Sequence, residues 1–163
     1  MPKFRASVLL EARERAGLSQ VELATLAEQA TAVKPDKASK QRSAKAIAEE
    51  TRRRVRTWQS RLGAWERGVD SPSAAYVPML ARLVDVPPLA FYDVDPVAPS
   101  FTALRFARGL TLRELADATG VSYTSLHRML RGVTELSMDV VDRLAPALEV
   151  GSAEVLAAIE RDR

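Results

Sequence analysis

The chain has 163 residues, 47% of them hydrophobic, with a net charge of +3 and no cysteine. That length holds one ordinary domain or two small ones, and the apolar content argues against wholesale disorder. The lack of cysteine excludes disulfides and thiolate metal sites; no apolar run approaches the roughly 18 residues of a membrane span, and MPKFRASVLLEARERAG returns to charge too soon for a signal peptide, so the sequence reads as soluble and cytoplasmic.

The first helix signal is AGLSQVELA at Ala16–Ala24, where Ser19 is followed three residues on by Glu22. Ser and Glu at that spacing form a capping box, so a helix begins near Gln20. Beyond it, residues 31–67 hold eleven Lys/Arg and four Asp/Glu, a balance of +7 that leaves −4 for the remainder. Positive charge gathered in one segment points to a polyanion, nucleic acid foremost.

Inside that segment Ile47, Thr51, Val55, Trp58, Leu62 and Trp65 follow one another at steps of four or three, a helical stripe. No Gly or Pro interrupts between Lys37 and Leu62, so the pattern predicts one helix from about Ser43 to Arg67. Arg42, Lys45, Arg52, Arg53, Arg56, Ser60 and Arg67 gather on the opposite face, within about 100° of one another. One side can pack on protein while the other meets phosphates. Glu49 shares the basic face, within reach of Lys45 and Arg53. The two tryptophans and Tyr76 read as core.

Asp93–Ser100, DVDPVAPS, has two prolines and no hydrophobic periodicity, and reads as a semi-rigid linker. It separates a first domain at 1–92, with a basic insertion at about 30–57, from a second at 101–163. In the second, Thr111 and Glu114 repeat the capping box, Gly120 ends one helix and Ser122 caps the next. Two helices joined by a three-residue turn containing Gly make a helix-turn-helix. Leu115, Ala116, Val121, Leu126 and Leu130 are its expected buried positions; Gly132 stops the helix and Ser137 caps a fourth.

The two halves are copies of one unit. Gly17, Leu18, Glu22, Leu23 and Ala24 recur as Gly109, Leu110, Glu114, Leu115 and Ala116, at an offset of 92. Leu62, Arg67, Gly68, Val69, Leu80 and Val86 recur as Leu126, Arg131, Gly132, Val133, Leu144 and Val150, at an offset of 64. The offset falls by 28, so the first copy carries about 28 extra residues between its second helix and AWERG.

On these motifs (GLSQ with ELA, SRLGAWERG and SPSAAYVPMLARLV in the first copy, GLT with ELADATGVSYTSLHRMLRG in the second) both copies resemble the Cro/C1-type (XRE-like) helix-turn-helix of phage repressors and bacterial regulators. The resemblance implies an all-α fold of two tandem lambda-repressor-like domains, each of five helices, with the third helix reading the major groove. It implies a sequence-specific transcriptional regulator, a repressor acting by operator occlusion, with double-stranded DNA as partner. A homodimer or another protein partner is also compatible. The alternative is an antitoxin-like or anti-regulator protein whose second domain binds protein.

Carried over residue by residue, the resemblance places Tyr123, Thr124 and His127 at base edges, with Ser125, Arg128 and Arg131 nearby. The matching positions of the first copy are Gln59, Ser60, Arg61 and Gly63. Gln59 suits adenine, and Arg61 suits guanine or phosphate. Gln20 matches the family's backbone-contacting glutamine, whereas the second copy has Leu112 there. Arg52, Arg53 and Arg56 are the phosphate contacts expected of the basic face. No Gly-rich phosphate loop, metal-spaced cluster or nucleophile-base pair is recognisable, so neither an enzyme, a cofactor, a metal nor a small-molecule ligand is expected. His127, the only histidine, has no second ligand beside it in sequence.

Overall fold

The computed structural model describes residues 3–32 and 43–162. Arg42, on the expected basic face, and nearly all of the loop expected at 31–42 lie outside the described residues. Those residues are all-helical, with no strand beyond an isolated antiparallel bridge between Phe4 and Tyr92. The helices are α1 (Ala6–Arg15), α2 (Gln20–Thr31), α3 (Ala44–Glu66), α4 (Val77–Leu83), α5 (Phe101–Ala107), α6 (Leu112–Thr119), α7 (Tyr123–Leu130), α8 (Met138–Leu148) and α9 (Ser152–Asp162). Short 3-10 turns cover Ala74–Tyr76 and Pro88–Phe91. The chain forms two compact units: an N-terminal one of residues 5–71 and 79–86, and a C-terminal one of residues 72–78 and 87–162 with Lys3 and Phe4.

In the N-terminal unit, Ser19 and Glu22 make the full capping box that starts α2. The predicted long helix is continuous: α3 runs 23 residues, about 34 Å at ~1.5 Å per residue, and Ser43 caps it by accepting from the Ala46 N–H at 3.2 Å. Its core-facing half carries Trp58, Leu62 and Trp65, all buried, with the tryptophan rings edge-to-face at 6.1 Å. Leu9, Leu23, Ala24, Ala27 and Leu80 complete that core.

The stripe does not stay buried along its whole length. Val55 is half-buried, while Thr51 is exposed and Ile47 is 47% exposed. The cause is length: α2 has 12 residues and α3 has 23, so the first turns of α3 outrun the helix they would pack on. The carboxylate pairing found on this helix is also a different one from that expected at Glu49. Arg54 bonds Glu50 at 2.7 Å on its own helix and Glu28 of α2 at 3.4 Å.

In the C-terminal unit α6 and α7 form the helix-turn-helix. Thr111 and Glu114 make the second capping box. Gly120 closes α6 in the left-handed conformation, φ +66° and ψ +19°, where a side chain would be strained. Ser122 then caps α7 by accepting from the Ser125 N–H at 3.1 Å. Leu115, Ala116, Val121 and Leu126 are buried as expected and Leu130 is half-buried; Phe101, Val141, Leu144, Leu148, Val155 and Ile159 fill the rest of the core. Asp93 N donates to Lys3 O and Arg161 Nη1 to Pro99 O, both at 2.9 Å, so both ends of 93–100 are hydrogen-bonded within this unit.

Left-handed backbone occurs at the same repeat offsets. Gly17 and Gly109 both have φ +69°, Gly68 and Gly132 +68° and +69°, and Asp85 and Glu149 +52° and +55°.

Candidate nucleic-acid interface

Because Leu126 turns into the core, the first turn of α7 presents its other side chains outward. Tyr123 is 42% exposed, and Thr124 and Arg128 are exposed. Ser125 and His127 are half-buried. The Ser125 hydroxyl accepts from Ser122 Oγ at 2.7 Å, so part of its hydrogen-bonding capacity is used inside the turn. His127 stacks on Tyr123 with ring centroids 5.9 Å apart and planes at 21°. On the ring of Tyr123 also rests Arg113 from α6, its guanidinium carbon 5.3 Å from the centroid. Tyr123 is therefore held on a short stack of Arg113, Tyr123 and His127. Arg113 was not singled out by sequence; its pairing with Tyr123 follows from the approach of α6 to α7, ten residues apart in the chain.

On α3, Arg52, Arg53 and Arg56 are exposed and lie along one side of the exposed half of the helix. Further along, Gln59 is half-buried, and Ser60 and Arg61 are exposed. Arg61 lies against Trp58, its guanidinium carbon 5.7 Å from the ring centroid. Gly63 is buried: a Cβ there would stand 3.0 Å from Arg67 Nη1 and 3.3 Å from Gln20 Nε2. The missing side chain thus lets Gln20 close on α3.

Gln20 is consequently part of a network. Its Nε2 donates to Glu66 Oε2 at 3.0 Å, and Arg13 donates from Nε to Glu66 Oε1 at 2.6 Å and from Nη1 to Leu18 O at 2.7 Å. The hydrogen bond to Glu66 raises the Arg13 pKa, against the opposing effect of burial. In the C-terminal unit, Arg105 repeats the bond to a backbone carbonyl, with Nη1 donating to Leu110 O at 2.6 Å. Here burial dominates and lowers the Arg105 pKa, opposed by Asp162, Tyr92 and Glu114.

A tight Gly turn, a polar outward first turn and an apolar inner face define a helix-turn-helix able to present side chains to a duplex. In agreement, residues 101–158 match the family model of a helix-turn-helix domain. No curated protein matches the chain. Among the described residues no helix is long and apolar enough to cross a membrane.

Proposed function

We propose that the chain is a sequence-specific transcriptional regulator of the Cro/C1 type, a cytoplasmic repressor that occludes an operator with two dissimilar reading heads. The observation that carries this reading is the outward face of α7, where Tyr123 and Thr124 of the first turn and Arg128 of the second are exposed on a packed helix-turn-helix. Tyr and Thr donate and accept toward base edges, and Arg128 takes a phosphate or a guanine. The tandem arrangement of two copies is supported by the left-handed positions that recur at offsets of 92 and 64, while residues 72–78 and 87–92 pack in the C-terminal unit rather than with the rest of 1–92. The exposed Arg52, Arg53 and Arg56 add sequence-independent attraction to phosphates.

The test begins by selecting bound duplexes from a random pool at one salt concentration. Tyr123→Ala/Thr124→Ala is then compared with the unchanged chain on the selected duplex and on random DNA, with circular dichroism to verify the fold. A loss of about 1–3 kcal/mol on the selected duplex, with random binding little changed, supports base reading by α7. Equal loss on both makes α7 a clamp on the DNA backbone. No loss on either removes DNA reading from this helix and leaves it a protein-binding surface.

A further inference from the structure

The network built on Arg13 has a counterpart in the C-terminal unit from which two members are missing. Arg105 stands at the position of Arg13, offset by 92, and repeats its bond to a carbonyl five residues ahead. Leu130 replaces Glu66, at the offset of 64, and Leu112 replaces Gln20, at the offset of 92. Among the described residues Arg105 forms no ion pair. Its guanidinium carbon lies 4.6 Å from the centroid of the Phe106 ring, which supports one face of the group without supplying a counter-charge.

Beside Arg105 the unit has an open cleft of about 490 Å³. Leu112, Leu130 and Val94 give it an apolar wall, and Asp93 and Asp162 bring two carboxylates to it. The guanidinium offers a planar fork of N–H donors suited to a carboxylate. The two aspartates disfavour a plain anion and favour a ligand that also carries an ammonium. Asp162 Oδ2 accepts from the Thr102 N–H at 2.8 Å and from its hydroxyl at 2.7 Å, and a carboxylate has about four lone-pair sites, so acceptor capacity remains.

We propose that this cleft binds a small zwitterion, an α-amino acid with an aliphatic side chain, whose carboxylate takes the place at Arg105 that Glu66 takes at Arg13. Its ammonium faces Asp93 and Asp162, and its side chain lies on Leu112 and Leu130. Burial already disfavours the charge on Arg105, so a bound carboxylate relieves a standing cost.

The experiment uses the full chain and isothermal calorimetry with three probes: L-leucine, L-leucine amide and 4-methylpentanoate. L-Leucine is expected to bind, and each analogue, lacking one charge, to bind at least about tenfold more weakly. Leu130→Glu supplies a carboxylate from within, where Glu66 stands in the other unit; it should keep helical circular dichroism and lose L-leucine binding by about tenfold or more. Should that variant unfold, Arg105→Lys keeps the charge, removes the fork and should weaken binding by about fivefold or more. Absence of heat with L-leucine up to about 10 mM overturns the proposal. So does equal affinity for either analogue, or undiminished binding by the folded variant.

Discussion

Arg13 and Glu66, 53 positions apart in the chain, meet at 2.6 Å with side chains only 11% and 7% exposed. The contact joins α1 to the last turn of α3. Both partners are otherwise satisfied, Arg13 by Leu18 O and Glu66 by Gln20 Nε2. Removing water from two charges is costly, and such a pair stabilises a fold chiefly by being complete.

The first prediction follows from that completeness. Glu66→Ala should destabilise the N-terminal unit by about 3 kcal/mol, because Arg13 is left charged and buried. Arg13→Met combined with Glu66→Leu should cost much less, about 1 kcal/mol, since no unpaired charge remains. Urea unfolding of the two variants and the unchanged chain, followed by tryptophan fluorescence from Trp58 and Trp65, gives the comparison. A double variant as unstable as Glu66→Ala would show that packing, not charge, sets the cost.

The exposed arginines of α3 make a prediction about salt. Arg52→Ala/Arg53→Ala/Arg56→Ala removes up to three phosphate contacts, and the log–log slope of affinity against salt should become shallower by about 0.9 for each. Alanine is the best helix former, so helicity should persist in circular dichroism. An unchanged slope would remove this face from DNA binding.

Arg113 is predicted to act through Tyr123 rather than by touching phosphate. Arg113→Ala frees one face of the ring and should reduce preference for the selected duplex by about threefold, roughly 0.7 kcal/mol, with the salt slope unmoved. A slope shallower by about 0.9 would instead make Arg113 a phosphate contact.

The capping box of α6 gives a pH dependence. Hydrogen bonding to the Thr111 side chain, then to its backbone, lowers the Glu114 pKa. A carboxylate lowered on folding contributes stability above its unfolded value, and that contribution is lost as pH falls through the folded value, below the ordinary carboxylate range. Thr111→Ala should cost about 1 kcal/mol at neutral pH through loss of the cap. Its deficit relative to the unchanged chain should narrow in acid as Glu114 is protonated, by a small amount because the group is exposed. Urea midpoints at about pH 7 and about pH 3 measure both effects; a deficit that widens in acid would contradict the assignment.

The legible parts of this molecule were those encoded by local spacing. The stripe from Ile47 to Trp65 gave a single helix, and Ser19, Thr111, Ser122 and Ser137 marked helix starts found in the structure. The exposure of Ile47 was not legible, because it depends on where the partner helix stops. Nor was the placement of Gln20 on Glu66, 46 residues away, which needs Gly63 to admit it. The substitutions Leu112 and Leu130 were visible as departures from the first copy. That both line one cleft with Arg105 is a property of the packed unit, which no spacing in the chain records.

The unequal lengths of α2 and α3 give one helix two thermodynamic regimes. From Trp58 to Glu66 its backbone hydrogen bonds break only when the core around Leu62 opens. From Ser43 to Glu49 every residue is exposed, and an isolated helix end of that length is marginal in water. Fraying there costs a small fraction of global unfolding, and Arg52 and Arg53 stand just beyond it. The arginine arm therefore carries a helix–coil equilibrium of its own: warming within the native range loosens the far end while the tryptophan end stays packed, and an anion gripped by the arm must supply the ordering entropy of that end.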